Sequence, residues 1–159
     1  MAFVRGAISS EMGAPITMSR ADQASCGIGH INSFIAARRD QPERADLSTG
    51  NVLKREPIGV CGLITPWTWP ISQIAQKVLP ALALGATFVL KPSAYAPLSA
   101  ALSAEIVHGA GDPAGGCILV QGDGPTDGAA LSRHPGIATS PSPARPGPVC
   151  RSRRTPPTA

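Results

Sequence analysis

The sequence predicts an α/β fold, a parallel sheet covered on both faces and preceded by helices. Three observations carry this expectation. Short apolar runs recur at Val60–Ile64, Thr87–Leu90 and Ile118–Val120, and helical patterns separate them. The runs are continuously apolar rather than alternating, as strands buried on both faces must be. Each run stops at residues that break strands: Thr65-Pro66, Lys91-Pro92 and Gly122-Asp123-Gly124.

The elements follow in order. From about Ala2 to Arg39 the pattern is helical, with Gly13-Ala14-Pro15 parting a short helix, Arg5 to Met12, from a longer one. In the longer one Ala24, Ile28, Ile31 and Ile35 share a face, while Gly27 and Gly29 weaken it. Asp40 to Asn51 is polar, contains Pro42 and Ser48-Thr49-Gly50, and reads as an exposed connection.

Ser72 to Leu84 is predicted helical, with Ile74, Val78, Leu79 and Leu82 on one face and Gly85 as the stop. Pro97 to Ala110 forms the next helix, and Pro125 opens another that closes at His134-Pro135. Strand–helix repeats of this kind take right-handed crossovers, which deliver all three strand carboxyl ends to one edge. Ligands of open parallel sheets bind at that edge. Thr65-Pro66-Trp67, Lys91-Pro92-Ser93 and Gly122-Asp123-Gly124 are the segments that land there.

Charge gives no case for a nucleic-acid partner. The net charge is +4, but Arg145, Arg151, Arg153 and Arg154 supply four of the 14 basic residues, and no acidic residue follows Asp127. The remaining 10 basic residues balance 10 acidic ones, so the body of the chain is neutral. The cysteines, Cys26, Cys61, Cys117 and Cys150, form no CxxC pair and share no spacing with His30, His108 or His134, so no metal site is expected. The opening MAFVRGAIS is too short and polar for a signal peptide, and no run approaches a membrane span. A reducing cytoplasm is the expected compartment, with no membrane partner.

Three segments carry candidate chemistry, each beside a plainer reading. Lys91 can donate to ribose hydroxyls or offset a phosphate, or it can be an exposed lysine marking a strand end. Gly122 to Gly128 is like a dinucleotide loop with one residue too many before the third glycine of GxGxxG, and a strand-to-helix turn explains it as well. Pro66-Trp67-Thr68-Trp69-Pro70 either faces a ligand or is a rigid loop packed on the first helix.

Taken together, REPIGVCGLITPWTWP (55–70), KVLPALALGATFVLKPSAYAPLSA (77–100) and GDGPTDGAALSRHPGI (122–137) resemble the aldehyde dehydrogenase family in order and spacing. The likeness reaches back through Ser10-Glu11-Met12-Gly13-Ala14-Pro15. It implies a partial Rossmann-like sheet of the aldehyde dehydrogenase fold. Residues 1–55 are then an N-terminal helical segment and connection, and 56–137 part of the NAD(P)-binding domain. The resemblance implies NAD or NADP as cofactor and homo-oligomers for intact members. Ile64, Thr65, Pro66 and Trp67 would lie along the nicotinamide cofactor, Lys91 and Ser93 would address the adenosine ribose, and Gly124 and Gly128 would admit the adenine end. The family reaction oxidises an aldehyde through a cysteine thiohemiacetal, hydride transfer and thioester hydrolysis.

Three departures follow from the same comparison. Thr68 occupies the position of the family's oxyanion asparagine, and loss of one such donor costs about 10²–10³ in rate. Ala94 stands where a ribose-binding glutamate is common, which weakens NAD+ binding and removes a repulsion against the phosphate of NADP+. The family's nucleophilic cysteine and general-base glutamate fall beyond residue 159, so no catalytic residue is assigned and the chain is expected to be inactive alone. A non-catalytic nucleotide-binding module and an assembly remnant are the alternatives.

After Ile137 the composition turns to Pro, Arg and Ser, and residues 138–159 read as a disordered tail. Codons exist for 138–149 that, in another frame, spell Asp-Ile-Ser-Phe-Thr-Gly-Ser-Thr-Arg-Ala-Gly, the family's missing strand and loop. A frameshift near residues 137–138 is therefore expected. A sheet that stops there leaves a strand edge and helix faces uncovered and favours aggregation.

Overall fold

The computed structural model describes residues 2–141. Helix α1 (Ala2–Met12) ends at Gly13, whose φ of 68° suits the residue without a Cβ. A short turn, α2 (Ile16–Met18), runs through a π-helical turn at Ser19–Gln23 into α3 (Ala24–Arg39). The Ser19 hydroxyl donates to the Arg5 carbonyl at 2.7 Å and fixes the corner between the helices.

The polar stretch after α3, expected as a plain connection, is an antiparallel hairpin instead. Strands β1 (Arg44–Asp46) and β2 (Val52–Lys54) pair Ala45 with Leu53. Its turn residue Gly50 adopts φ 80°, and the strands are too short and too exposed to leave an alternating signature.

The main sheet is parallel in the order β3-β4-β5, from Cys61–Ile64, Phe88–Lys91 and Cys117–Leu119. Between them lie α4 (Pro70–Ala83) and α5 (Pro97–Gly109). Register pairs Cys61 with Phe88 and Leu63 with Leu90, which places these four side chains on one face. There they meet Ile74, Val78 and Ala81 of α4 and Ala100 of α5. Phe88, Leu90 and Leu63 are at most 2% exposed, and each contributes about 1.5–3 kcal/mol of apolar burial.

The intervening residue, Gly62, faces the other side of the sheet. A Cβ there would stand 3.2 Å from Leu131 and from Ile137. Leu131 belongs to α6 (Ala129–Arg133), so α6 covers the face opposite α4 and α5.

Ala138 and Thr139 depart from the expected tail. The Ala138 amide donates to Val60 O at 2.9 Å, the Gly62 amide donates to Thr139 O at 2.8 Å, and Thr139 bridges Cys61 in parallel. The physical reason is that these residues precede Pro141 and keep the amides that a ladder needs. The contacts of β3 thus extend to Thr139, and the rest of the tail, from 142, lies outside the described residues.

Helix α3 lies against α4, where Gly27 permits the approach: a Cβ on it would meet Ile71 Cγ2 at 2.6 Å. The stripe read from the sequence is only partly used. Ala24 is buried, whereas Ile28, Ile31 and Ile35 remain 43–49% exposed. Ile28 and Ile31, with Leu82 and Ile106, border an apolar groove of about 510 Å³ between α3, α4 and α5.

Candidate functional site

The chain leaves β3 toward β4 and β5 on one side, and returns after α6 to the other side of β3. Strand order therefore reverses at β3, and the two connections diverge above its carboxyl end. In open α/β sheets that divergence opens a crevice for ligands.

Ile64 and Thr65 sit at this crevice. Ile64 is half-buried and pairs with Lys91, while the Thr65 amide donates to the Lys91 carbonyl at 3.2 Å. Thr65 is buried, yet among the described residues its Oγ1 has no hydrogen-bond partner. A buried hydroxyl left unmatched costs about 1–3 kcal/mol, so it marks a place where a ligand group can complete the bonding.

Pro66 is half-buried, and Trp67, Thr68 and Trp69 are exposed. Trp69 takes φ 48° and ψ 54°, a left-handed turn that non-glycine residues rarely adopt. Pro70, fully buried, then starts α4 with its φ already helical. The Trp69 amide donates to Met12 Sδ at 3.4 Å. The loop therefore rests on the end of α1 while Trp67 and Thr68 stay open to solvent.

Lys91 ends β4 with only 3% of its surface exposed, so it is not the solvent-facing strand marker. Among the described residues its ammonium has no hydrogen-bond or ion-pair partner. Burial pulls its pKa below the usual lysine range, and the carboxylates of Asp127 and Asp123 pull it back. Ser93 is half-buried, and its hydroxyl accepts the Tyr95 amide at 3.3 Å.

Gly124 begins a π-helical turn, Gly124–Gly128, that feeds α6. A Cβ on Gly124 would meet nothing within 4 Å, whereas Gly128 is buried and lies 3.7 Å from Asp123 O by the same measure. Asp123 caps this turn: its carboxylate accepts the Thr126 amide at 2.7 Å and the Thr126 hydroxyl at 3.3 Å. These bonds and Lys91 lower its pKa. Asp127 reaches back to accept the Asp123 amide at 2.9 Å.

All nine positions singled out in the sequence thus occupy the ends of β3, β4 and β5 or the turns that follow. Sequence reasoning missed Asp123, Asp127 and Met12. An aspartate three residues before a threonine amide, ahead of Pro125, was a legible capping signal. Met12 had none, because its contact spans 57 positions.

No described thiol stands at this edge. Cys61 is in the core, where burial raises its pKa, and Cys117 opens β5 at the opposite end. Cys26 lies on α3, and Cys150 falls outside the described residues. Among the described residues no group of three metal-ligating side chains occurs, and no helix is long and apolar enough to cross a membrane.

A buried hydroxyl and an ammonium, both without partners among the described residues, and an open glycine turn on one crevice suit a ligand rich in hydroxyls and phosphates. The 3-succinoylsemialdehyde-pyridine dehydrogenase of a Pseudomonas species is 52% identical over 132 residues, 82% of this chain and 28% of that protein. The aldehyde dehydrogenase of Bartonella henselae superposes with a TM-score of 0.81 at 47% identity, over 84% of this chain and 29% of the other. A mutant of aldehyde dehydrogenase C from Pseudomonas syringae, solved with NAD+ and octanal, gives 0.83 at 45% identity, over 87% and 28%. The chain therefore spans under a third of the length of these relatives. The model of the aldehyde dehydrogenase family matches residues 4–139, and the chain belongs to that family.

Proposed function

We propose that this chain is the front part of the cofactor domain of an NAD(P)-dependent aldehyde dehydrogenase, able to bind a nicotinamide dinucleotide but not to oxidise an aldehyde by itself. The observation that carries this reading is that Thr65 Oγ1, buried just after β3, and the Lys91 ammonium, at the adjoining end of β4, both lack a partner among the described residues. NAD+ complexes among the similar structures support the ligand class.

In this reading Ile64, Thr65, Pro66 and Trp67 line the nicotinamide side, and Lys91 and Ser93 donate to the adenosine ribose. Gly124 leaves room for the adenine end, and Gly128 lets the turn pack closely. Bound, the dinucleotide would supply a hydride acceptor. The residues of this chain bind and orient it, and Thr68 offers only a rotatable hydroxyl at the crevice. Inactivity rests on the absence of a thiol at this edge among the described residues. The cytoplasm as compartment and a homo-oligomeric parent enzyme belong to the same proposal.

Titrating NAD+ against the emission of Trp67 and Trp69 tests the binding. A saturable change is expected, reduced at least tenfold in affinity by Lys91→Ala. A folded sample with no response at millimolar NAD+ overturns the reading, and aldehyde-dependent NADH formation by pure protein overturns its inactivity.

The composition after Ile137 supports a shifted reading frame near residues 137–138. Sequencing the coding DNA decides this: a Phe-Thr-Gly-Ser-Thr motif followed by a long open frame is expected in a shifted frame, and its absence ends the proposal.

A further inference from the structure

We infer that Met12 is an oxidation site that sets the Trp67–Trp69 loop: a peroxide converts its thioether to the sulfoxide, and the added oxygen drives the loop off the end of α1. The site stands on contacts within the free chain. Only its effect on ligand affinity rests on the dinucleotide reading above.

Two N–H groups from distant parts of the chain converge on this sulfur. Met12 Sδ accepts the Trp69 amide at 3.4 Å and the Gln23 side-chain amide at 3.6 Å. A thioether is a weak acceptor, so both donors are poorly served. Gln23 is only 1% exposed, belongs to the π-helical turn Ser19–Gln23, and its Oε1 has no partner among the described residues. It is locked in place beneath the sulfur.

Trp69 is the yielding end of this contact. Its φ of 48° and ψ of 54° are left-handed, which a bulky residue keeps only where its surroundings hold it. Its carbonyl accepts the Gln73 amide at 3.0 Å, and its amide rests on Met12. The sulfur is therefore one of two anchors on this strained residue.

Met12 is half-buried, which leaves room for a small oxidant. The sulfur lone pair attacks one peroxide oxygen and the O–O bond breaks. An S=O bond forms, and the second oxygen leaves as water once both protons reach it. Sulfur is oxidised and the peroxide reduced. The new oxygen is a strong acceptor in the space where both N–H groups point. An N–H···O bond spans about 2.9 Å, and the sulfur–oxygen bond adds to it. Sulfur and the Trp69 nitrogen must then part from 3.4 Å. Gln23 is buried and cannot follow, so the exposed loop moves. Met18, also half-buried, receives no N–H donor on its sulfur among the described residues and serves as the internal control.

The test treats the full chain with hydrogen peroxide, maps sulfoxides by mass spectrometry and follows the emission of Trp67 and Trp69. A sulfoxide at Met12 and a shifted emission maximum are expected. Dithiothreitol, which reverses disulfides and sulfenic acids of the cysteines, should leave the shift in place, and methionine sulfoxide reductases should reverse it. That reversal needs no variant to fold. Met12→Leu keeps the volume, lacks the sulfur and should show no shift. NAD+ should bind the oxidised wild type several-fold more weakly.

Peroxide that leaves Met12 unmodified, or a Met12 sulfoxide with unchanged emission, overturns the inference. So does a shift that persists in Met12→Leu or resists the reductases. Equal NAD+ affinity in both forms overturns the link to the ligand alone. NAD+ that binds neither form removes the dinucleotide reading, while the emission shift still decides the oxidation site.

Discussion

The Glu11 carboxylate, at the end of α1, receives the first amides of α5: those of Leu98 and Ser99, the latter at 3.1 Å, and the Ser99 hydroxyl at 2.5 Å. Ala96, the residue that flanks α5, carries only a methyl group that accepts no hydrogen bond, so the cap comes from 88 positions upstream. An anion at the first turn of a helix satisfies its orphan amides and complements its dipole. This contact couples the N-terminal helices to the sheet layer.

Removing that cap should loosen the coupling. Glu11→Ala is expected to cost about 1–2 kcal/mol, the size of a lost helix cap. Urea unfolding measures it, and a midpoint equal to wild type would show that water replaces the carboxylate without loss.

Two glycines of α3 should respond with opposite signs. Gly29→Ala meets nothing within 4 Å and should gain about 0.5–1 kcal/mol from helix propensity. Gly27→Ala drives a methyl into Ile71 Cγ2 and should lose about 1–3 kcal/mol by overpacking. Thermal unfolding of the pair checks this, and equal shifts would place the α3–α4 contact elsewhere.

Thr65→Val separates stability from binding. It removes a buried hydroxyl with no partner, so the free protein should gain about 1 kcal/mol. NAD+ affinity should fall several-fold in the same variant, measured by calorimetric titration. A loss of stability would mean that the hydroxyl already has a partner in solution.

Lys91 gives a pH signature. Burial lowers its pKa below the ordinary 10.5, against the opposing pull of Asp127 and Asp123. Between the folded and unfolded values the unfolded chain binds more protons, so stability rises with pH across that alkaline window. Lys91→Met lacks the charge and should be more stable than wild type at neutral pH. Its advantage should shrink as pH rises toward 10.5. A constant difference from pH 7 upward would show that the ammonium is well solvated.

Much of this was legible in the residues. Continuous apolar runs at Cys61–Ile64, Phe88–Lys91 and Cys117–Leu119 marked the strands to within one residue or so; burial on both faces accounts for the first two, while Ile118 of the third stays exposed. Pro97 marked a helix start through its fixed φ, and Gly85, at φ 70°, marked a stop, whereas α4 begins at Pro70, two residues before the expected Ser72. The β1–β2 hairpin escaped notice, since three-residue exposed strands have neither length nor alternation.

The sequence by itself determined the strand–helix order and the identity of the turns above the sheet, since both follow from local periodicity and backbone restriction. Only the tertiary structure decided how those turns act together. It left Thr65 Oγ1 without a partner among the described residues and buried Lys91 at the end of β4, within the field of Asp123 and Asp127. It also brought Ala138 and Thr139 back to β3, reversing the strand order there. Hydrogen bonding and desolvation depend on what the chain places within a few ångströms, and separation along the sequence does not encode that.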